Sequence, residues 1–223
     1  MSARFRDRAD AGLKLAQALA AYAHQSRLLV LALPRGGVPV GFEVAKALGA
    51  PLDLCIVRKL GVPGQPELAM GAVAPGGVRV LDEEMVALLG IPEAAIAAVE
   101  ARERKELERR IQAYRPGRPL PDVQGRTVIL VDDGIATGST LRAALHALRA
   151  LAPAALVVAV PVAPKEALAG LRGLADEVVC LRKPDPFFAI GEWYEDFRQT
   201  SDEEVKGLLA RAEGERRRAG ALG

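Results

Sequence analysis

The chain has 223 residues, 50% of them hydrophobic and 26% charged, with 30 basic against 28 acidic side chains and a net charge of +2. That balance excludes a disordered chain and a strongly cationic nucleic-acid binder, so any anion site must be built locally. The length is ample for a sizeable core, and no run approaches the roughly 20 apolar residues that span a bilayer.

The N-terminus "MSARFRDRADAGLKLAQALAAYAHQ" is amphipathic and lacks the apolar core and cleavage site of a signal peptide, so a cytoplasmic location is expected. Its apolar spacing predicts a helix over 9–24, and "RLLVLAL" (27–33) is a run of buried-strand length. After the glycine turn in "PRGGVPVG", a helix is expected over 38–48 with Gly49 as its stop, then a second strand in "PLDLCIVRKL". Strand, glycine-rich turn, helix, strand is the order of a parallel βαβ unit. Cys55 and Cys180 lie in apolar runs without CxxC spacing and are expected as buried, reduced thiols.

"GVPGQPELAMGAVAPGGVRVLD" is dense in Gly and Pro, with extended pieces at 69–74 and 78–81, and reads as a hairpin or mobile flap over 60–81. A helical insertion follows over 82–118. Its long helix has Pro92 near the first turn, and "EARERKELERR" carries opposite charges at i,i+3 and i,i+4, as a solvated, salt-bridged helix does. Partner docking or homo-oligomerisation is the expectation for this insertion.

A strand over 126–131, a helix over 138–150, the strand "AALVVAVPV", the helix "PKEALAGLRGL" and the strand "DEVVCLRK" repeat the βαβ pattern. A hood over 182–200 holds many of the few aromatics. Ser201 to Glu204 form a capping box for a last helix, and "EGERRRAGALG" is expected to fray. The fold class is α/β, a mostly parallel twisted sheet flanked by helices.

In "VILVDDGIATGSTLRAAL" the strand ends on two adjacent carboxylates, Asp132 and Asp133, which would be costly if buried without a partner. In an open parallel sheet, ligands bind beyond the carboxyl ends of the strands. Gly134 and Gly138 permit a tight turn, Thr137, Ser139 and Thr140 add hydroxyls, and the next helix adds its N-terminal amides, which together make a phosphate cradle. The carboxylates suit vicinal ribose hydroxyls or a magnesium ion bridging to them. Walker A is excluded because Ser139, not Lys, follows Gly138, and GxGxxG is absent.

This stretch closely resembles the 13-residue phosphoribosyl pyrophosphate (PRPP) motif of type I phosphoribosyltransferases, and the likeness extends from about Leu28 to Ala163. The resemblance implies one phosphoribosyltransferase-like domain over 1–223. It implies Mg²⁺-dependent transfer of a phosphoribosyl group from PRPP to a nitrogenous acceptor, usually a nucleobase, with release of pyrophosphate; the charge balance adds the expectation of no nucleic-acid or membrane partner. Asp132 and Asp133 would bind the ribose hydroxyls directly or through the metal. Residues Gly134, Ile135, Ala136, Thr137, Gly138, Ser139 and Thr140 would hold the 5-phosphate.

Arg35, Gly36 and Gly37 match the family's pyrophosphate loop, where a non-proline cis peptide often turns amides toward the anion. Lys59 and Arg58 match the cations that neutralise the leaving pyrophosphate, with Glu67 as a neighbour or metal contact. In "LRKPDPFFAIGEWYEDF", Lys183 would recognise an exocyclic oxygen of the base, and Phe188 or Trp193 would stack on it, with Asp185, Glu195 and Asp196 as further contacts. The 6-oxopurine enzymes carry an acidic residue just before the TG pair, whereas this chain has Ala136, as adenine-type enzymes do. That weakens a hypoxanthine or guanine assignment. The alternative is a non-catalytic PRPP- or nucleotide-sensing regulator on the same fold. A PRPP synthetase would need a second homologous domain. His24 and His146 fall in predicted helices and receive no catalytic role.

Overall fold

The computed structural model describes residues 4–117 and 121–220, so residue 118 of the insertion and the last three residues of the tail lie outside it. In chain order the elements are α1 (Arg8–Ala18), β1 (Leu28–Ala32), α2 (Gly37–Leu48), β2 (Leu52–Leu54), β3 (Arg58–Val62), β4 (Gln65–Val73), β5 (Arg79–Leu81), α3 (Glu83–Leu88) and α4 (Glu93–Tyr114). There follow β6 (Thr127–Val131), α5 (Ser139–Arg149), β7 (Ala155–Val162), α6 (Lys165–Ala169), β8 (Glu177–Arg182) and α7 (Asp202–Gly220). They fall into two compact units. The described residues of the first are 4–55, 123–137 and 153–220, and those of the second are 56–117, 121–122 and 138–152.

The first unit holds a parallel sheet in the order β2-β1-β6-β7-β8. Every residue of β1 is buried, as are β6 and β7 after the first residue of each, which is why these strands read as unbroken apolar runs. Val30 pairs with Ile129 and Ile129 with Val157, so the three strands run in step; β1 and β6 end level, and β7 continues to Val162. Leu15 of α1, Leu19 just past its end, and Val40, Val44 and Leu48 of α2 pack on Leu28, Val30, Ile129 and Val157 to form the core. Gly49 closes α2 in the left-handed region at φ 66°, as its place in the sequence predicts. The Glu204 amide donates to Ser201 Oγ at 3.1 Å, forming that half of the predicted capping box.

The second unit is an antiparallel sheet, β3-β4-β5, with α4 and α5 packed on it. Ile96, Val99, Glu103 and Leu107 form the buried stripe of α4. On its outer side Glu106 accepts from both Arg109 and Arg110, which hold its carboxyl down at about 2, and Arg104 pairs with Glu100 at 2.6 Å. The salt-bridged reading of this helix is therefore borne out.

Several expectations need correction. The run "PLDLCIVRKL" is two strands in two sheets, the edge strand β2 of the parallel sheet and β3 of the antiparallel one, where Arg58 and Lys59 pair with Val73 and Ala72. The Gly/Pro-rich stretch is the expected hairpin, β3 and β4 pairing antiparallel, but its strand β4 begins at Gln65 rather than at 69. Helix α1 stops at Ala18, a short 3-10 turn spans Ala20–Tyr22, and His24 sits at φ 60° outside any helix. Helix α6 is only five residues, since Gly170 ends it, and α7 continues to Gly220 where fraying was expected. Helix α5 belongs to the second unit with the hairpin strands, although its chain position between β6 and β7 makes it the crossover of a βαβ unit.

Both cysteines are free, Cys55 buried and Cys180 half-buried. Burial, helped by the Asp132 charge, pushes the Cys55 thiol up to about 12. At pH 8 that leaves a thiolate fraction on the order of 10⁻⁴, so Cys55 should resist alkylation in the native protein and react fully once unfolded, as mass spectrometry of iodoacetamide-treated samples would show.

Candidate functional site

The site begins where β1 and β6 end side by side. Ala32 pairs with Val131, and the Leu33 amide donates to the Val131 carbonyl at 2.9 Å, so the loops that leave these strands are neighbours. One loop is Leu33–Gly36, leading into α2, and the other starts with Asp132 and Asp133. The Pro34–Arg35 peptide is cis, in the loop where the family resemblance leads one to expect such a bond.

The two loops touch at the glycines. A Cβ on Gly36 would lie 2.0 Å from Asp133 Oδ2, and one on Gly37 would lie 2.7 Å from the Val131 carbonyl oxygen and 2.9 Å from Asp132 Cα. No side chain fits at Gly37, and one at Gly36 would displace the Asp133 carboxylate, so the glycine pair allows the acidic pair to sit directly against the first loop.

The two carboxylates have different surroundings. Asp132 is half-buried and its Oδ1 accepts the Asp133 amide at 2.9 Å. Desolvation raises its pKa well above the ordinary carboxylate value, and the Asp133 charge adds to the rise. Asp133 is buried, and its Oδ2 accepts from Arg8 Nε at 2.7 Å. The Asp133 carbonyl accepts from the Tyr194 hydroxyl at 2.6 Å. Burial of Tyr194, with Asp133 close by, raises its pKa and keeps that hydroxyl protonated as a donor.

Residues 134–140 complete the motif. The Ile135 amide donates to the Val162 carbonyl at 2.9 Å, and a Cβ on Gly134 would meet Ile190 Cγ2 at 2.6 Å. Ala136 and Thr137 complete the loop, while Ser139, buried, and Thr140, exposed, are the first two residues of α5. Gly138, at φ 73°, is the N-cap of α5 and brings no capping side chain, so the helix start suits an anion.

The remaining sequence-predicted residues are distributed as follows. Arg35 Nη1 lies 3.5 Å from Asp202 Oδ1, with both side chains more than a third exposed, a weak contact that an anion can displace. In the second unit Lys59 Nζ pairs with Glu67 at 2.9 Å, and Arg58 is held by Glu103 at 2.6 Å. Past the end of β8, Lys183 is exposed, Phe188 is 76% exposed and Trp193 is half-buried. Phe188 is thus outside the core, whereas Trp193 packs beside Phe5 and Tyr194.

Arg8 and Tyr194 were missed from the sequence. Tyr194 lies one residue after Trp193, within the aromatic segment that drew attention, but nothing marked its hydroxyl as a partner for the acidic loop. Arg8 is one of several N-terminal arginines and lies 125 positions from Asp133.

Among the described residues no three His, Cys, Asp or Glu side chains are grouped to hold a metal ion. Two adjacent carboxylates are instead the donor set that suits Mg²⁺, which is commonly held by one or two carboxylates and completed by water and substrate phosphates. No described helix is long and apolar enough to cross a membrane.

The family model described as phosphoribosyl transferase domain matches residues 6–196. Two curated Mycobacterium tuberculosis proteins, from strains CDC 1551 and H37Rv, are named provisionally as phosphoribosyl transferases. Each is 51% identical over 218 residues, covering 98% of this chain and 49% of its own length. This chain therefore spans about half the length of those relatives. The solved structure of TT1426 from Thermus thermophilus is 46% identical and has a TM-score of 0.86, with 93% of this chain and 98% of that one covered. The AQ2163 protein of Aquifex aeolicus, 12% identical with a TM-score of 0.50 over 91% of this chain and 84% of its own, shares the fold alone.

Proposed function

Because the chain belongs to the phosphoribosyl transferase domain family, with a parallel sheet flanked by helices as in the type I fold, we propose that it transfers the 5-phosphoribosyl group of PRPP to a nitrogenous acceptor, a nucleobase. The observation that supports this reading is the seating of the acidic pair against Gly36 and Gly37, which brings two carboxylates and a glycine-rich loop together at the carboxyl ends of β1 and β6, where ligands of open parallel sheets bind.

In this reading the bond from the anomeric carbon to the pyrophosphate oxygen breaks and its electron pair leaves with pyrophosphate. The lone pair of the acceptor nitrogen forms the new bond, and the ring proton passes to solvent. Asp132 and Asp133 accept from the ribose hydroxyls, an interaction that strengthens as the ribose gains oxocarbenium character and so raises the rate. Residues 134–140 hold the 5-phosphate, and the loop at Arg35, Gly36 and Gly37 receives the pyrophosphate, Arg35 by a bidentate contact. Bound beside Asp132 and Asp133, Mg²⁺ would neutralise phosphate charge. Lys59 and Arg58 keep the pyrophosphate role that the resemblance gives them, and Lys183, Phe188 and Trp193 the base contacts. Ala136 directs the choice of acceptor away from hypoxanthine and guanine. The reaction is assigned to the cytoplasm.

The test is pyrophosphate release from PRPP and Mg²⁺ across a panel of nucleobases, with adenine expected to outperform hypoxanthine and guanine. PRPP binding by calorimetry without turnover on any base would replace the transferase with a sensor, and absence of PRPP binding would overturn both.

A further inference from the structure

Asp133 has a fixed cationic partner, and that partner is itself held on several sides. Arg8 opens α1, and the strand-like segment before it is pinned to the hood: the Phe5 amide donates to the Trp193 carbonyl at 2.8 Å, the Glu195 amide to the Phe5 carbonyl at 2.8 Å and the Asp196 amide to the Arg6 carbonyl at 2.9 Å. The Arg8 guanidinium lies 4.0 Å over the Phe197 ring, and Nη1 donates to the Arg198 carbonyl at 2.7 Å. Nε is left to meet Asp133 Oδ2 at 2.7 Å, with the two side chains only 11% and 12% exposed. On its other side the same carboxylate rests against Gly36.

We propose that Arg8 is a positioning residue for the acidic pair: it fixes the Asp133 carboxylate against the Gly36 loop and cancels one of two adjacent negative charges where polyanionic PRPP must bind. The inference rests on the PRPP reading of the site. Two carboxylates on adjacent residues repel each other and an incoming phosphate alike, and a charge-assisted bond in a nearly dry setting offsets part of that repulsion while leaving Asp132 the more accessible of the two. A lysine keeps the charge but cannot serve Asp133, the Arg198 carbonyl and the Phe197 face together.

The experiment compares wild type, Arg8→Ala, Arg8→Lys, Asp133→Asn and the Arg8→Ala/Asp133→Asn double variant for PRPP affinity with Mg²⁺ by calorimetry, and for KM and kcat where turnover is measurable. Arg8→Ala is expected to weaken PRPP about 10- to 100-fold, raising KM more than it lowers kcat, and Arg8→Lys to recover part of the loss. Added to Asp133→Asn, the Arg8→Ala change should cost less than about threefold more, since the partner is already gone. A lowered melting temperature with PRPP affinity unchanged, tighter PRPP binding, or an equal loss in both backgrounds would overturn the proposal. A crystal structure of Arg8→Ala, or of Arg8→Lys if the alanine variant does not fold, reads the effect without PRPP. The Asp133 carboxylate should leave its place beside Gly36 in the first and shift in the second, and an unmoved carboxylate would refute the role. If wild type itself fails to bind PRPP, the proposed function falls and the Asp133 position alone decides the role of Arg8.

Discussion

Asp132→Asn should abolish PRPP turnover, by about 10²-fold or more, and at the same time raise the melting temperature of the ligand-free protein. Both effects come from the same electrostatics. The Asp132 carboxyl is held above its ordinary pKa by desolvation and then by the Asp133 charge, so its ionised form is disfavoured in the folded chain relative to the unfolded one. The penalty is present at pH above the raised folded value and disappears as the pH falls through that value toward 3.8, the reference for the unfolded chain. An asparagine keeps the oxygen that accepts the Asp133 amide and drops the charge. The gain should be about 1 kcal/mol at neutral pH, measured by thermal melting with a chelator present, and should vanish in acid. The activity lost is the charge that a ribose with oxocarbenium character and a magnesium ion both require. A variant with full turnover would remove Asp132 from the proposed site. One with unchanged stability at neutral pH would show that the pair costs the fold nothing.

The adjacent glycines should separate stability from ligand binding. At Gly37 the obstacles to a Cβ are backbone, the Val131 carbonyl oxygen at 2.7 Å and Asp132 Cα at 2.9 Å, and backbone in the central strand region cannot yield. Gly37→Ala should therefore destabilise by about 2 to 3 kcal/mol and lower the melting temperature by roughly 5 to 10 °C. At Gly36 the obstacle is the Asp133 carboxylate, 2.0 Å from the new carbon, and a side chain can rotate away. Gly36→Ala should lower the melting temperature less than Gly37→Ala, by the loss of the Arg8–Asp133 pair alone, and remove most PRPP binding, because the displaced carboxylate leaves Arg8 and the ribose position together. Calorimetric unfolding and PRPP titration on the two variants should give opposite patterns, and equal losses of stability would show that Asp133 is held too firmly to move.

Much of the first unit was legible because its signals are local. A five-residue run such as Leu28–Ala32 has only one way to be buried on both faces, and Gly49 ends its helix because a left-handed backbone is needed there. The carboxylates and glycines of the motif are likewise close in sequence, so their chemistry can be read before the fold is known. Boundaries were harder where two environments meet without punctuation. "PLDLCIVRKL" is continuous in hydrophobicity up to its cations, yet its first half pairs with β1 and its second half with β4.

By itself, then, the sequence determined the parallel sheet, the strand-to-helix turns at its ligand-binding edge, and the acidic and glycine-rich stretches those turns carry. Tertiary structure alone decided which cation neutralises Asp133 and which hydroxyl fixes its carbonyl, since Arg8 lies 125 residues away and Tyr194 lies 61. It also decided that α5 joins the hairpin unit. The physical reason is range. Backbone preferences and hydrophobic periodicity act over a few residues, whereas the partner of a buried charge is selected by whichever distant segment the packing of the sheet brings within hydrogen-bond distance.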